Sequence, residues 1–331
     1  MKNGQNLRTR ENFRPNLGLA LTALLAAVPI TALRADDSPA ATNTNTPAKT
    51  ETAPAEKGDP LPLHQIEGSG GIFSTLSAYI VNPPRNGEIV GRPAVGFAFV
   101  DIGQGRNLEA FTVTESPWSR VELGFALDRL DLGDLPAAAG VPNLQDEVDL
   151  YNFNGRVQIL KEGEFDQKWL PAITAGAHFK YNDTRAELDK ALGGALTAIG
   201  VKHDDGVDFT LYGSKMLTFL PRPVLVELGG RATEAAHIGL LGFTSDYSFV
   251  FEGNVVVFVT DSIALAAEYR QKPNDYTRIG EVIKPEDDWW TIDAAYVVNS
   301  HLTLAAGYGH FGGILNHEAN GVWGITTKYE F

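Results

Sequence analysis

The clearest candidates for chemistry in this 331-residue chain are its histidines and the acids near them. His203, Asp204, Asp205 and Asp208 lie together in KHDDGVD, where acids beside a histidine could activate water or hold a divalent cation. Asp-Asp-Gly is also ordinary turn chemistry, and we favour a solvated turn. A serine and a histidine could support acyl transfer, but G-x-S-x-G is absent and the histidines show no diagnostic spacing. We predict no catalytic residue, no metal site and no cofactor, and we expect that the protein is not an enzyme.

A larger set of charged residues alternates with apolar residues along extended segments such as RVELGFALDR and DWWTIDAAYVV. Because successive side chains of a strand point to opposite faces, this alternation gives each segment one apolar face and one polar face. The polar set comprises Glu122, Asp128, Arg156, His178, Lys180, Asp208, Glu227, Arg231, Glu252, Glu268, Arg270, Lys272 and Asp293. If these residues line a lumen, they either form salt bridges that stabilise a narrow interior or form a charged constriction that selects solutes.

Two architectures fit such strands: a soluble sandwich or barrel with its apolar face inward, and a membrane barrel with its apolar face outward. Three features favour the membrane barrel. The segments are longer than the ~5–6 residues typical of soluble strands. Aromatic residues lie near strand ends on the apolar face, as interfacial girdles do. Short links alternate along the chain with long ones, as periplasmic turns alternate with external loops.

The sequence therefore predicts an all-β fold, a transmembrane antiparallel up-and-down β-barrel with short periplasmic turns and longer external loops. Closure with both ends in the periplasm requires an even strand count, which we place at 12–14. The predicted strands are 73–82, 92–102, 108–115, 120–131, 148–161, 170–182, 207–219, 223–234, 247–260, 262–272, 288–299, 301–313 and 321–331, with 63–67 as one more.

Two local features qualify this pattern. Lys215 is the one charge that the register sends to the lipid face, so either its side chain reaches the interface or a bulge shifts the register. The loop TRAELDKALGGALTAIG has apolar residues at helical spacing, interrupted by Gly193 and Gly194. We expect a short external helix there that either covers the mouth or folds inward, or is simply a surface loop helix, which we favour.

The chain divides into three predicted regions. Residues 1–35 pair an N-terminal cluster of cations with the apolar run LGLALTALLAAVPITAL and small residues before a cut, as an export signal does. Residues 36–62 are rich in Pro, Thr and Ala and predict a disordered leader. Residues 63–331 form the barrel. The net charge of −14 argues against nucleic acid as a partner, and the absence of cysteine excludes disulfides.

The C-terminal segment GVWGITTKYEF carries Trp323, Ile325, Tyr329 and Phe331 on one apolar face. We predict that this last strand pairs with the first one and that its apolar residues are the signal read by the barrel assembly machinery. The expected partners are thus that machinery and outer-membrane lipid.

Several stretches resemble a bacterial family known as domain of unknown function 3034, expected to form outer-membrane barrels. They are HQIEGSGGIFS, RVELGFALDRLDLGDL, WLPAITAGAHFKYND, KHDDGVDFTLYGSKM, HIGLLGF, LAAEYRQKPND, EDDWWTIDAAYVVNSHLTLAAGYG and the terminal strand. The resemblance covers residues 63–331 and supports the fold and an outer-membrane location in a two-membrane bacterium. It implies no activity.

From these observations we predict a passive channel or transporter for small solutes, with the solute unidentified. The alternative is a closed structural or adhesive barrel without an open pore, and an enzyme is a third, less favoured one.

Overall fold

The structure of the protein is a computed structural model that describes residues 63–85, 87–138, 140–141, 144–277, 287–314 and 317–331. The predicted export signal at 1–35 and the predicted leader at 36–62 lie outside the described residues. Within the described part of the chain, no helix is both long and apolar enough to cross a membrane.

Twelve antiparallel strands form one closed barrel in chain order, as the alternation predicts. The last strand pairs with the first, from Trp323 beside Asp101 to Glu330 beside Ala94, and this pairing closes the wall. The strands are β1 (Ala94–Gly103), β2 (Arg106–Trp118), β3 (Val121–Asp131), β4 (Glu147–Leu160), β5 (Ala172–Asn182), β6 (Asp205–Leu217), β7 (Val224–Thr233), β8 (Ser248–Phe258), β9 (Ile263–Arg270), β10 (Trp289–Val297), β11 (Leu302–His310) and β12 (Val322–Glu330).

The prediction of wall strands at 63–67 and 73–82 is wrong. Residues 63–82, here named the plug, lie inside the barrel, where Leu63–His64 pairs only with Gly70–Gly71. Every plug residue is buried, whereas a wall strand exposes alternate side chains. Pro83 and Pro84 then end the segment without backbone donors, so the chain joins the wall only at β1.

The outer surface of the barrel is apolar and the inner surface is largely polar, which reverses the arrangement of a soluble barrel. Large apolar side chains around the whole wall are more than two-fifths exposed on the outward face. They include Phe97, Phe111, Leu123, Phe153, Phe179, Leu211, Leu228, Phe251, Leu265, Ile292, Leu304 and Ile325. A belt of this kind is buried only by lipid, so the strands span a membrane.

The two ends of the barrel differ in the length of their links. At one end, named the short-turn end, the links 119–120, 218–223, 259–262 and 298–301 are brief, although 161–171 is longer and contains a 3₁₀ helix at Glu164–Asp166. At the other end, named the long-loop end, the links are 132–146, 183–204, 234–247, 271–288 and 311–321, and only the turn 104–105 is brief.

The long loops pack over the mouth of the barrel. Short helices α1 (Leu135–Ala138), α2 (Arg185–Ala191) and α3 (Ala195–Ala198) lie there, together with the strand pair Gly313–Ile314 and His317–Glu318. The predicted loop helix is thus two helices, which are separated by Gly193 and Gly194, both with positive φ. Apolar loop residues such as Leu188, Phe243 and Phe311 are buried in one cluster with inward apolar residues of the strands at the long-loop end.

Lys215 lies on the outward face of β6, as its register predicts, and no bulge occurs there. Its Nζ is 2.8 Å from Glu162 Oε1 and 3.3 Å from the carbonyl oxygen of Leu170, both in the link 161–171. The side chain therefore reaches past the strand end to a carboxylate at the short-turn end, which is the first of the two predicted solutions.

Candidate functional site

The structure places all the predicted lumen charges inside the barrel, at most 6% exposed. On the strands β3 to β10 they are Glu122, Asp128, Arg156, His178, Lys180, Asp208, Glu227, Arg231, Glu252, Glu268, Arg270 and Asp293, and Lys272 follows β9. We name the inner faces of β3 to β10 the charged arc. It faces a plug and not an empty pore.

The centre of the charged arc grips one carboxylate of the plug. Arg231 holds both oxygens of Glu67, with its two terminal nitrogens 2.9 and 2.8 Å from Oε1 and Oε2. Arg270 Nη1 is 2.9 Å from Glu67 Oε2, and Lys180 donates to Oε1. Burial alone would raise the pKa of the Glu67 carboxyl, but these three cations hold it well below its usual range.

Two wall carboxylates complete this cluster, which we name the clasp. Asp208 Oδ2 lies 2.7 Å from Lys180 and 2.8 Å from Arg231. Glu252 Oε1 lies 2.8 Å from Arg231 and 3.3 Å from Arg270. The wall thus supplies three cations but only two anions, and the third anion is Glu67 of the plug.

A second carboxylate, Glu268, binds the plug through the backbone. Its oxygens accept the N–H groups of Phe73, Ser74 and Thr75 at 2.7 to 3.2 Å, and the Thr75 hydroxyl at 2.5 Å. Three consecutive amides aimed at one carboxylate fix the conformation of this part of the plug, because charge-assisted bonds are the stronger ones.

Glu122 and Arg156 form a third contact near the short-turn end. Arg156 binds Glu122 in a two-point pair and donates to the carbonyl oxygen of Ser77 at 2.5 Å. Glu122 accepts the plug amides of Gly70 at 3.0 Å and Val81 at 2.8 Å. The charged arc therefore holds both the beginning and the end of the plug.

The rest of the wall makes room for the plug with small residues. We name the inner faces of β11, β12, β1 and β2 the small-residue arc, with Gly307, Gly324, Ala98 and Ala110 at its middle level. A Cβ on Gly324 would lie 3.2 Å from the Phe73 ring. On the charged arc, a Cβ on Gly124 would lie 2.0 Å from the carbonyl oxygen of Gly68.

Three buried polar side chains beside the clasp have no hydrogen-bond partner among the residues that the structure describes. Both oxygens of Asp128, both amide atoms of Asn152 and both ring nitrogens of His178 are unpaired. Asn152 lies opposite Lys180 and His178 lies opposite Asp208 in the strand register. Unpaired buried polar atoms are rare because each loses its hydration without compensation.

The plug leaves one side of the lumen accessible to solvent. The inward residues Ala295, Thr303, Ala305 and Gly307, on β10 and β11, are partly exposed, and so is Ala264, which is paired with Ala295 on β9. Because their outward neighbours face lipid, this exposure is to the lumen. We name this space, which is open at the short-turn end, the vestibule.

Among the described side chains, His203 does not form a serine–histidine–acid arrangement. His203 Nε2 lies 3.1 Å from Ser245 Oγ, but both residues are exposed on the long loops and no carboxylate of the described chain hydrogen-bonds the other ring nitrogen. Within the described residues, no group of three His, Cys, Asp or Glu side chains could hold a metal ion.

The residues of the predicted assembly signal lie where the alternation places them. Trp323, Ile325 and Tyr329 are exposed on the outward face of β12, and Phe331 follows it. The Phe331 N–H donates to the carbonyl oxygen of Pro93, just before β1, at 3.2 Å.

Sequence reasoning identified the wall charges but missed Glu67, which was assigned to a wall strand. Two signals pointed to an internal segment: the glycine-rich stretch EGSGG, which weakens a strand, and the inward glycines of the wall, such as Gly124 and Gly324, which leave room for something else.

Fold and site together define a closed transmembrane β-barrel whose lumen holds an N-terminal plug. Residues 62–326 match the family described as protein of unknown function (DUF3034), and the chain belongs to that family. No curated protein matches the sequence.

Solved barrels of several kinds resemble this one. The KdgM porin is 8% identical with a TM-score of 0.44, and the match covers 72% of this chain and 99% of the porin. An outer membrane channel from Pseudomonas putida F1 is 12% identical with a TM-score of 0.38, and the match covers 73% of this chain and 95% of the channel. The outer membrane phospholipase A from Escherichia coli is 9% identical with a TM-score of 0.36, and the match covers 72% of this chain and 94% of the phospholipase. With TM-scores below 0.5, these likenesses do not say what this chain carries or catalyses.

Proposed function

We propose that the protein is an outer-membrane barrel that admits small solutes passively when the plug moves, and that it is closed at rest. The outward apolar belt and the membership of the family support an outer-membrane location, with the short-turn end in the periplasm. On this proposal the barrel is not an enzyme, lipid covers the belt, and the assembly machinery reads the terminal strand.

The observation that carries the proposal is the chemistry of the plug contact. The plug is held by ion pairs to its own Glu67 at the centre of the lumen, and by hydrogen bonds between its backbone and the wall residues Glu268 and Arg156. Replacing buried ion pairs by well-packed apolar residues is often neutral or stabilising, so stability alone does not call for a charged interface. A polar interface can be rehydrated when the plug leaves.

The second candidate is the closed structural or adhesive barrel, which one observation favours. The long loops bury an apolar cluster that includes Leu188, Phe243 and Phe311 over the mouth. Opening would have to separate this cap as well as the plug.

Conductance in planar bilayers distinguishes the two. We expect rare, brief openings from the full-length protein and frequent current from Glu67→Gln, which removes the charge of the plug from the clasp. Glu88→Gln, the same change at an acid of the link between the plug and β1, is the matched control and should behave as the parent does. Absence of current from correctly folded Glu67→Gln would favour the closed structural barrel.

A further inference from the structure

The clasp is a carboxylate-binding site that the plug occupies at rest. Its wall residues carry three cations, Lys180, Arg231 and Arg270, and two anions, Asp208 and Glu252. Without Glu67 the site has one uncompensated positive charge in a buried position, which is costly. An anion bound in place of Glu67 would compensate this charge when the plug moves.

The geometry of the clasp selects a planar carboxylate. Arg231 places two donors on the two oxygens of Glu67, which is the two-point arrangement that matches guanidinium to carboxylate. Arg270 adds a third direct contact at 2.9 Å. Glu67 thus occupies the position that the carboxylate of a solute would take.

The unpaired side chains beside the clasp extend the site. Asn152 is paired with Lys180 and His178 with Asp208 on adjoining strands, so each lies beside a residue of the clasp. Asp128, on the next strand, has two free acceptor oxygens. Together they offer both donors and acceptors, which suit hydroxyl groups, whereas an apolar tail would leave them unpaired.

We propose that the clasp, with Asp128, Asn152 and His178, is the solute site of this barrel and binds a small carboxylate that carries hydroxyl groups, with Glu67 as its built-in substitute. This inference rests on the proposed function, because a solute reaches the site only when the plug moves. The solute class follows from the donors and acceptors and not from the family.

Paired flux measurements test the inference with gluconate, a hydroxylated carboxylate, and sorbitol, its neutral counterpart of the same carbon number. In liposomes that contain full-length Glu67→Gln, gluconate should enter on the order of ten times faster than sorbitol, the range expected for hydrogen bonds to charged groups. Adding Arg270→Gln should abolish that preference, whereas adding Lys328→Gln, which removes a lumen cation outside the clasp, should keep it.

The outcomes separate the two proposals. Equal entry of gluconate and sorbitol through Glu67→Gln would leave a channel but overturn the carboxylate site. Entry of neither through folded protein would overturn the channel, and the site with it. If Glu67→Gln does not fold, the open fraction of the unaltered channel is measured instead. Gluconate should compete with Glu67 for the clasp, so the channel should be open more often in gluconate than in equimolar chloride. An unchanged open fraction would contradict the inference.

Discussion

The two arcs of the lumen wall contact the same plug by different means. In the charged arc, Arg231, Glu268 and Arg156 form directional hydrogen bonds with atoms of the plug. The small-residue arc leaves space at Gly96, and its contacts with the plug are neutral, as Thr112 and Thr114 hydrogen-bond the ring of His64. The charged arc therefore holds the plug chiefly through ionised groups, whereas the small-residue arc combines neutral hydrogen bonds with the space that the plug fills.

The largest effect should follow from breaking the centre of the charged arc. Arg231→Met would leave Glu67, Asp208 and Glu252 to share two cations, so we expect a loss of about 3–5 kcal/mol in the free energy of unfolding, the usual cost of breaking a buried pair. The temperature at which the folded band disappears from a detergent gel measures it. Arg222→Met, on the exposed link 218–223, is the control, and equal transition temperatures for the two variants would contradict the importance of the clasp.

The small-residue arc should respond to added volume instead of lost charge. A Cβ on Gly96 would lie 2.5 Å from Thr112 Oγ1 and 2.9 Å from His64 Nδ1, so Gly96→Val should crowd the plug out at a cost of about 1–3 kcal/mol. Limited proteolysis within 63–82 should become faster. Gly155→Val, where the nearest atom is 3.7 Å away on the outer face, should leave the plug protected; equal cleavage of both variants would show that space on this arc is unimportant.

A more local effect should follow from weakening the backbone contact. Glu268→Gln keeps the shape of the side chain but removes the charge that the amides of residues 73–75 share. We expect hydrogen exchange at these amides to become roughly tenfold faster, because bonds to charged groups contribute about 1.5–3 kcal/mol. Glu109→Gln, on the outer face of β2, is the control. Unchanged exchange at 73–75 would indicate that packing against the small-residue arc is sufficient.

The smallest effect should be that of mild acid. The clasp lowers the pKa of the Glu67 carboxyl. The ionised carboxylate, which stabilises the bound plug, is therefore fully present above the ordinary carboxyl pKa, and its contribution is lost only as the pH falls through the lowered value. Lowering the pH from about 7 to about 5 should therefore leave the open fraction unchanged. A rise in current over this interval would show that Glu67 is not the controlling carboxylate.

The wall was predictable from sequence because lipid on one side and a polar lumen on the other impose strict alternation. That period places strands at all twelve segments of the wall and places Lys180 and Arg231 in the lumen, although it also places wall strands at 63–67 and 73–82. The plug was not predictable in this way, because a segment buried on all sides has no alternation to read. Its residues Ile72, Phe73, Leu76 and Ala78 are apolar enough to resemble a strand.

The partner of each wall charge was equally hidden. Alternation places Arg270 and Glu268 in the lumen but does not tell whether each meets another wall residue, water or a different segment. Glu67 is 203 residues from Arg270 in the chain, and only the folded barrel brings them together.

If movement of the plug opens the lumen, a disulfide that joins the plug to the wall should keep the barrel closed. A Cβ on Gly96 would lie 3.3 Å from His64 Cβ, close to the Cβ separation of a disulfide, and the chain has no cysteine of its own. The variant carries His64→Cys and Gly96→Cys for the disulfide, Thr112→Ala to clear the neighbouring hydroxyl, and Glu67→Gln to free the plug. Current through this variant should be absent while the two cysteines are oxidised to a disulfide and should appear when the disulfide is reduced. Equal current in both states would contradict the account.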